Sequence, residues 1–232
     1  KKKRIILNNN FFFTVTMNHY IQDFSTKKFK MNFSFLLKTL FLIFFTFKNS
    51  FSFEINEVAE GFFVHFGQQE DSNPKNNGDI ANIGFIVGSK SIAVIDTGGT
   101  PEIGKRLLKK IKETSNLPIS HIIITHSHPD HFFGTEALVN KKVTIIGHEK
   151  LERALITNFE FYKNLQFNLI KQESIKKARL ILPNQKVKIG KTKTINIGNR
   201  EIEIKAWKSG HTDNDLSIYD KKTKFFWSEN IF

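Results

Sequence analysis

The sequence predicts a mixed α/β layered fold, in which helices pack on one sheet and a further set of strands follows along the chain. Three observations predict it: short apolar runs of strand length that end at turn residues, helical segments between them, and a final meander of strands. The order shows no repeat of solenoid period. A chain of 232 residues is long enough for one full domain with a substantial core.

The first regular elements are two paired strands followed by a helix. Residues 83–87 form a short apolar run that closes at Gly88, and residues 91–96 form a second run that closes at a Thr-Gly-Gly turn. A helix is expected from Thr100, because a capping hydroxyl, a proline in the first turn and an acid near the positive end favour a start there. Its apolar positions recur at helical spacing: Ile103, Leu107, Leu108 and Ile111.

The second half of the chain predicts one more helix and several short strands. A buried strand is expected at 119–125, where it ends in a polar motif, and another at 143–146. The segment from Glu149 to about Gln172 has a helical pattern that an interruption could divide. The remaining strands are short and separated by turn residues: 187–189, 194–197, 202–206, 216–219 and 225–227.

Residues 1–53 differ in composition from the rest of the chain. They hold nine basic residues and one acid, a net charge of +8, together with 13 of the 25 phenylalanines. The remaining 179 residues hold 26 basic and 21 acidic residues, a net charge of +5. The break favours a boundary near residue 53. It also places most of the overall charge of +13 outside the main body, so nucleic acid is not the expected partner.

Residues 31–53 have the pattern of a secretory signal peptide. An apolar run at 39–47 is followed by Ser50 and Ser52, small residues in the −3 and −1 positions for cleavage. Because a bilayer span needs about 20 apolar residues, the run is too short to predict a permanent membrane helix. An uncleaved anchor and a buried hairpin are the alternatives. We expect an exported protein, periplasmic or secreted, with residues 1–30 as an upstream extension or disordered tail.

The chain has no cysteine, which restricts its chemistry. A disulfide-stabilised scaffold, a thiolate nucleophile and a zinc site built on cysteine ligands are all excluded. Any metal must therefore be held by histidine, aspartate or glutamate side chains.

The segment 125–131 has the sequence Thr-His-Ser-His-Pro-Asp-His and follows the predicted buried strand directly. In an extended chain, residues two apart point to the same side, so His126 and His128 can bind one ion. The proline then bends the chain, which lets Asp130 and His131 face a second position. Neutral imidazoles and carboxylates suit zinc or a similar divalent ion. The motif therefore predicts a metal site.

The remaining histidines of the body have less specific surroundings. His65 and His121 lie within or beside apolar stretches, which predicts structural roles. His148 follows a glycine at a strand end and is either structural or a neighbour of the site.

The spacing His-x-His-x-Asp-His resembles that of the metallo-β-lactamase superfamily. Two further segments match: the Asp-Thr-Gly turn at 96–98 and the Gly-His-Thr sequence at 210–212. The resemblance covers residues 58–232. It implies a four-layer αβ/βα fold for residues 54–232, with the C-terminal part of the fold truncated.

A narrower resemblance is to the quinoprotein relay system zinc metallohydrolases. These are secreted proteins that accompany periplasmic quinoprotein oxidation systems. The matching segments are 81–88, 94–99, 126–131 and 211–216, of which the last, His-Thr-Asp-Asn-Asp-Leu, contributes most.

Carried over by position, the resemblance implies one metal held by His126, His128 and His211. Asp130 and His131 would hold a second. Asp130 is also the expected catalytic residue, which orients the nucleophile and transfers a proton. The implied reaction uses a hydroxide on one or two zinc ions to cleave an ester-, lactam- or thioester-like bond of a small molecule.

The same resemblance bears on the roles of three further aspartates. Asp96 is implied to orient a ligand imidazole from behind, as metal sites commonly need. Asp213 and Asp215 replace a Pro-Gly-Ser sequence of many relatives. They either contact substrate or complete the turn before the next strand.

The sequence departs from the superfamily pattern near its end. Asn230 stands where a metal-bridging aspartate is expected, and a neutral carboxamide bridges two cations poorly. Glu229 is no simple substitute, because a shift of one residue on a strand points to the opposite face. The second metal position is therefore expected to be incomplete. A non-catalytic metal-binding relative is the alternative function, and a basic nucleic-acid binder is a third.

Overall fold

The structure is a computed structural model that describes residues 53–228. It has two sheets and a set of helices, so the predicted mixed α/β layered fold is confirmed. The proposed leader and residues Glu229 and Asn230 lie outside the described residues. Phe53 already belongs to the folded domain, because it is buried and its ring stacks on that of His65 at 3.8 Å.

The first sheet has seven strands in sequence order. They are β1 (Asn56–Ala59), β2 (Phe62–His65), β3 (Ile83–Val87), β4 (Ile92–Ile95), β5 (Ile119–Ile123), β6 (Thr144–His148) and β7 (Gln185–Val187). Strands β1 to β4 pair in antiparallel fashion, and β4 to β7 pair in parallel. The sequence missed β1 and β2. It placed β7 at 187–189, which was wrong by two residues, because β6 pairs with residues 185–187.

The second sheet has four antiparallel strands in the order β11-β10-β9-β8. They are β8 (Thr192–Asn196), β9 (Glu201–Ala206), β10 (Leu216–Asp220) and β11 (Phe226–Trp227). The predicted meander is therefore confirmed. Each of its members lies within two residues of the expected position.

In the order of the chain, the helices lie between strands of the first sheet. They are α1 (Pro101–Thr114), α2 (Pro129–Phe132), a 3₁₀ turn (Thr135–Ala137), α3 (Leu151–Ile170) and α4 (Glu173–Lys176). Thr100 caps α1 as predicted, since its hydroxyl accepts a hydrogen bond from Ile103 N at 3.2 Å. The interruption near Gln172 is the break between α3 and α4, where Lys171 has a φ of 63°.

Two hydrophobic cores lie on opposite faces of the first sheet. On β4, Ile92 and Val94 pack against the helices, whereas Ala93 and Ile95 face the second sheet. This alternation follows from the period of two in a strand. Helix, sheet and sheet account for three of the four expected layers. Among residues 53–228 the helices contribute only to the first core, and none of them is long and apolar enough to cross a bilayer.

Candidate metal centre

The predicted ligands gather at one edge of the fold. Asp96 follows β4, the segment 125–131 follows β5, and the loop 207–215 precedes β10. Because β4 and β5 are parallel neighbours, their carboxyl ends open onto the same edge of the sheet. A hydrogen bond from Leu216 N to Thr125 O (2.8 Å) joins the second sheet to this edge. Both sheets therefore supply residues to one site.

His126, His128 and His211 form the candidate metal centre. His126 Nε2 lies 3.2 Å from His128 Nδ1, which lies 2.9 Å from His211 Nε2. One ring nitrogen of each histidine lies within 4.8 Å of the other two. His211 reaches His128 across 83 residues of sequence. The structure thus brings together the three residues predicted to hold the first metal.

The donor set of this centre fits a zinc ion. Two nitrogens bound at 2.0–2.1 Å in a tetrahedral zinc site are about 3.3 Å apart, close to the separations found here. Burial, followed by the field of His131, holds the pKa of His126 far below its ordinary value. Burial, followed by His211, also lowers the pKa of His128. A neutral imidazole keeps one unprotonated ring nitrogen, and that nitrogen can bind a cation.

Asp96 and Thr125 determine which nitrogen of His126 faces the centre. Thr125 Oγ1 donates to Asp96 Oδ2 at 2.7 Å, since a carboxylate only accepts. The same hydroxyl oxygen lies 3.0 Å from His126 Nδ1 and accepts its proton. Nε2 of His126 is then unprotonated and faces His128. Asp96 lies where the sequence predicted it to orient an imidazole, whereas Thr125 had no predicted role.

Asp130 and His131 lie side by side next to this cluster. Asp130 Oδ2 is 3.2 Å from His131 Nε2, and His131 Nδ1 is 2.8 Å from Asp96 Oδ2. Although burial opposes the charged form, the carboxylates of Asp96 and Asp130 raise the pKa of His131 to about 10. Burial likewise opposes ionisation of Asp130, but His131 lowers its pKa. Within residues 53–228 no third histidine or acid joins this pair in a separate metal group, so the second position stays a prediction.

The two aspartates of the loop before β10 have different surroundings. Thr212 N donates to both oxygens of Asp215 (3.1 and 2.9 Å), and its hydroxyl donates as well. Asp215 is 2% exposed, so it completes the turn. Asp213 is much more exposed and pairs with Arg153 at 2.6 Å and Lys150 at 3.5 Å, at the start of α3.

The other histidines of the domain make structural contacts. His65 bonds the Asp79 carboxylate at 2.7 Å in a buried pair. His121 contacts the hydroxyl of the preceding serine at 2.8 Å. His148 Nε2 bonds the carbonyl of Trp207 at 2.9 Å, where the loop that carries His211 begins. His148 is therefore both structural and adjacent to the site.

Ser127 and Asn214 had no predicted role, although each lies inside one of the two histidine motifs. Asn214 Nδ2 donates to Ser127 Oγ at 3.1 Å. The one signal in the sequence that could have suggested a role was the position of each residue close to predicted metal ligands. The contact itself joins segments 87 residues apart and could not be foreseen from spacing.

Comparison with protein families identifies the superfamily of the chain. The family model of the metallo-beta-lactamase superfamily matches residues 76–226, well over half of the chain. The chain belongs to this superfamily. The match spans the Asp-Thr-Gly turn, the His-x-His-x-Asp-His motif and His211. The prediction of a metal-dependent hydrolase of the metallo-β-lactamase superfamily is thereby confirmed at the level of the family.

The curated relatives that match are sulfatases, and the matched segments are short. A linear primary-alkylsulfatase of a Pseudomonas species is 29% identical over 67 residues, which is 29% of this chain and 13% of that protein. An alkyl/aryl-sulfatase of Saccharomyces cerevisiae is 36% identical over 64 residues, 27% of this chain and 10% of that protein. The matches thus span about a tenth of the length of these relatives.

The solved structures agree on the fold. A metallo-β-lactamase from Pontibacter korlensis superposes with a TM-score of 0.54 at 18% sequence identity, covering 74% of this chain and 68% of that one. At 18% identity this superposition shows the fold alone.

Proposed function

We propose that this chain is an exported, zinc-dependent hydrolase that cleaves an ester-, lactam- or thioester-like bond of a small molecule. The observation that carries the proposal is the convergence of His126, His128 and His211 on one point, 2.9–3.2 Å apart in successive pairs. Asp130 lies beside this point with 21% of its side chain exposed, so solvent and substrate can reach it.

The residues of the site have separable tasks. A zinc ion held by the three histidines would supply Lewis acidity and lower the pKa of a bound water. Thr125 keeps the Nδ1 proton of His126 directed away from the centre. Asp130 accepts a proton from the attacking water and orients it. His131, held from behind by Asp96, fixes the Asp130 carboxylate at 3.2 Å.

A substrate panel tests this proposal. The chain loaded with Zn²⁺ is assayed on chromogenic esters, lactams and thioesters, with a chelator-treated sample and a Zn²⁺-restored sample as controls. We expect turnover that disappears with the chelator and returns with Zn²⁺. Asp130→Asn should lower kcat by about 100-fold or more, the range for general acid–base catalysis, while the metal at the centre of His126, His128 and His211 is retained. Inactivity on the whole panel, or full activity of Asp130→Asn, would contradict the proposal.

Sulfate esters are a second candidate substrate class. Both curated relatives described above are named as alkylsulfatases, and each aligns with more than a quarter of this chain. Adding a primary alkyl sulfate to the panel, with inorganic sulfate as the measured product, decides between the classes. Release of sulfate faster than hydrolysis of any ester, lactam or thioester would favour the sulfatase function.

Export and the quinoprotein association belong to the same proposal. They are supported by the signal pattern of residues 31–53 and by the segment His-Thr-Asp-Asn-Asp-Leu that begins at His211. Fractionation of cells that express the full chain tests export, and recovery only in the cytoplasm would contradict it. Loss of substrate-dependent quinoprotein oxidation on deletion of the gene would support the association.

The alternative is a metal-binding relative without catalysis, motivated by Asn230. Asn230→Asp should then create hydrolytic activity in the chain. Equal activity with asparagine and with aspartate at this position would eliminate the alternative.

A further inference from the structure

The loop that carries His211 is exposed at His211 itself and at the residues just before it. Residues 208–211 are exposed, whereas Asn214, three residues further on, is 2% exposed. The loop is braced internally by Asp215, but this brace does not locate His211 relative to the other two ligands. The position of His211 in the site therefore depends on what attaches the loop to the turn after β5.

Asn214 makes such an attachment. Its Nδ2 donates to Ser127 Oγ at 3.1 Å, and Ser127 lies between the ligands His126 and His128 in the chain. The second hydrogen of Nδ2 is directed to Asp213 Oδ1 at 3.0 Å. The backbone N–H of Asn214 donates to the Thr212 hydroxyl at 3.1 Å, which holds the backbone of the loop at this point.

The other end of the Asn214 amide has no partner. Its Oδ1 is buried and lacks a hydrogen bond among the described residues. The two hydrogen bonds of this amide are those of Nδ2, to Ser127 and Asp213. The contribution of this side chain thus lies in what Nδ2 holds.

From this geometry we infer that Asn214 is a positioning residue for the metal centre. Its bond to Ser127 joins the loop of the second sheet to the turn of the first, alongside the bond from Leu216 N to Thr125 O. The Asn214 bond lies nearer to His211 in the chain and helps to set the distance between His211 and the other two ligand histidines. Ser127 supplies only the acceptor. The inference rests on the proposed function, since it requires that the three histidines hold a metal. Partners behind a metal ligand typically change affinity by about 10–100-fold when they are removed.

Metal affinity measured in a double-mutant cycle tests the inference. Asn214→Ala, Ser127→Ala and the double variant are compared by Zn²⁺ competition against a chromophoric chelator. The visible spectrum with Co²⁺ reports the ligand geometry of each variant. We expect each single variant to bind Zn²⁺ about 10–100-fold more weakly, with an altered Co²⁺ spectrum. Because both remove the same bond, the double variant should be no weaker than the weaker single variant.

A matched control separates positioning from general stability. Asn184 also bridges segments through its amide, since Oδ1 accepts from Ile145 N at 2.8 Å and Nδ2 donates to Val143 O at 3.4 Å, where β6 begins. Asn184→Ala should lower the thermal midpoint of the metal-free chain and leave Zn²⁺ affinity and the Co²⁺ spectrum unchanged. If Asn214→Ala does not fold, the smaller change Ser127→Ala decides the question.

The outcomes are distinguishable. If the unaltered chain binds no Zn²⁺, the proposed function and this inference are both overturned. If it binds Zn²⁺ and the folded Asn214 and Ser127 variants stay within about threefold of its affinity, only the inference is overturned. Losses that multiply in the double variant would show independent effects and would also overturn it.

Discussion

Replacing Asp96 by asparagine should reverse the hydrogen bonds behind two predicted metal ligands without disrupting the fold. Asp96 is fully buried and accepts three hydrogen bonds: Oδ1 from Thr125 N at 2.8 Å, and Oδ2 from the Thr125 hydroxyl at 2.7 Å and from His131 Nδ1 at 2.8 Å. An asparagine can keep the first bond only if its amide NH₂ takes the place of Oδ2. That group has two protons and faces two atoms able to accept them.

The reversal should then propagate to the histidines. The Thr125 hydroxyl accepts from the new amide and donates to His126 Nδ1, so the proton of His126 moves to Nε2, the atom that faces His128. His131 accepts at Nδ1 and keeps its proton on Nε2, toward Asp130. The ring nitrogen of His126 that the metal needs is then protonated.

The size of the effect follows from these bonds. Two bonds to a charged acceptor become neutral, and each loses about 1 kcal/mol, so the metal-free variant should be about 2 kcal/mol less stable. Metal binding must return the His126 proton to Nδ1, and we expect Zn²⁺ affinity to fall about 10–100-fold, equivalent to about 1.4–2.8 kcal/mol.

Zn²⁺ competition gives the affinity, and ¹⁵N NMR of the imidazoles gives the tautomers. Asp220→Asn is the matched control, since Asp220 is also fully buried but bonds Arg200 instead of a histidine. It should lower stability and leave Zn²⁺ affinity unchanged. An Asp96→Asn variant with Zn²⁺ affinity within threefold of the unaltered chain and the original tautomers would refute the reasoning.

Three further predictions concern the site and its support. His211→Ala should weaken Zn²⁺ binding by more than the roughly 100-fold range of outer partners, because it removes one of three ligands; metal content after dialysis checks this. Burial opposes ionisation of Asp220, but the hydrogen bond from Arg200 lowers the pKa of this carboxyl. The Asp220–Arg200 pair therefore stabilises the fold above the ordinary carboxyl pKa of about 4, and this contribution is lost as the pH falls below it. Urea unfolding between pH 3 and 6 should therefore show a steeper loss than in Asp220→Asn. Gly134→Ala should destabilise the domain by about 1–3 kcal/mol or more, because a Cβ there would lie 2.0 Å from Thr97 O, and thermal unfolding measures it.

Local patterns predicted the elements whose physical causes are local. The helix at Pro101–Thr114 was predicted from its cap, its first-turn proline and its apolar spacing, and all three act within a few residues. Strand β1 was missed because its residues are mostly exposed and show no alternation. It is a strand because it pairs with β2, and that pairing is a tertiary contact.

The sequence by itself determined the chemistry of this protein: a cysteine-free chain with a His-x-His-x-Asp-His motif at the end of a buried strand and a distant Gly-His-Thr segment. Ligand type and short spacing are properties of the chain, so they can be predicted from it. Only the tertiary structure decided how closely His211 approaches His128, that Asp96 reaches His126 through Thr125 and His131 directly, and that Asn214 bonds Ser127. The protonated nitrogen of an imidazole depends on partners brought from other strands, and no local spacing encodes those contacts.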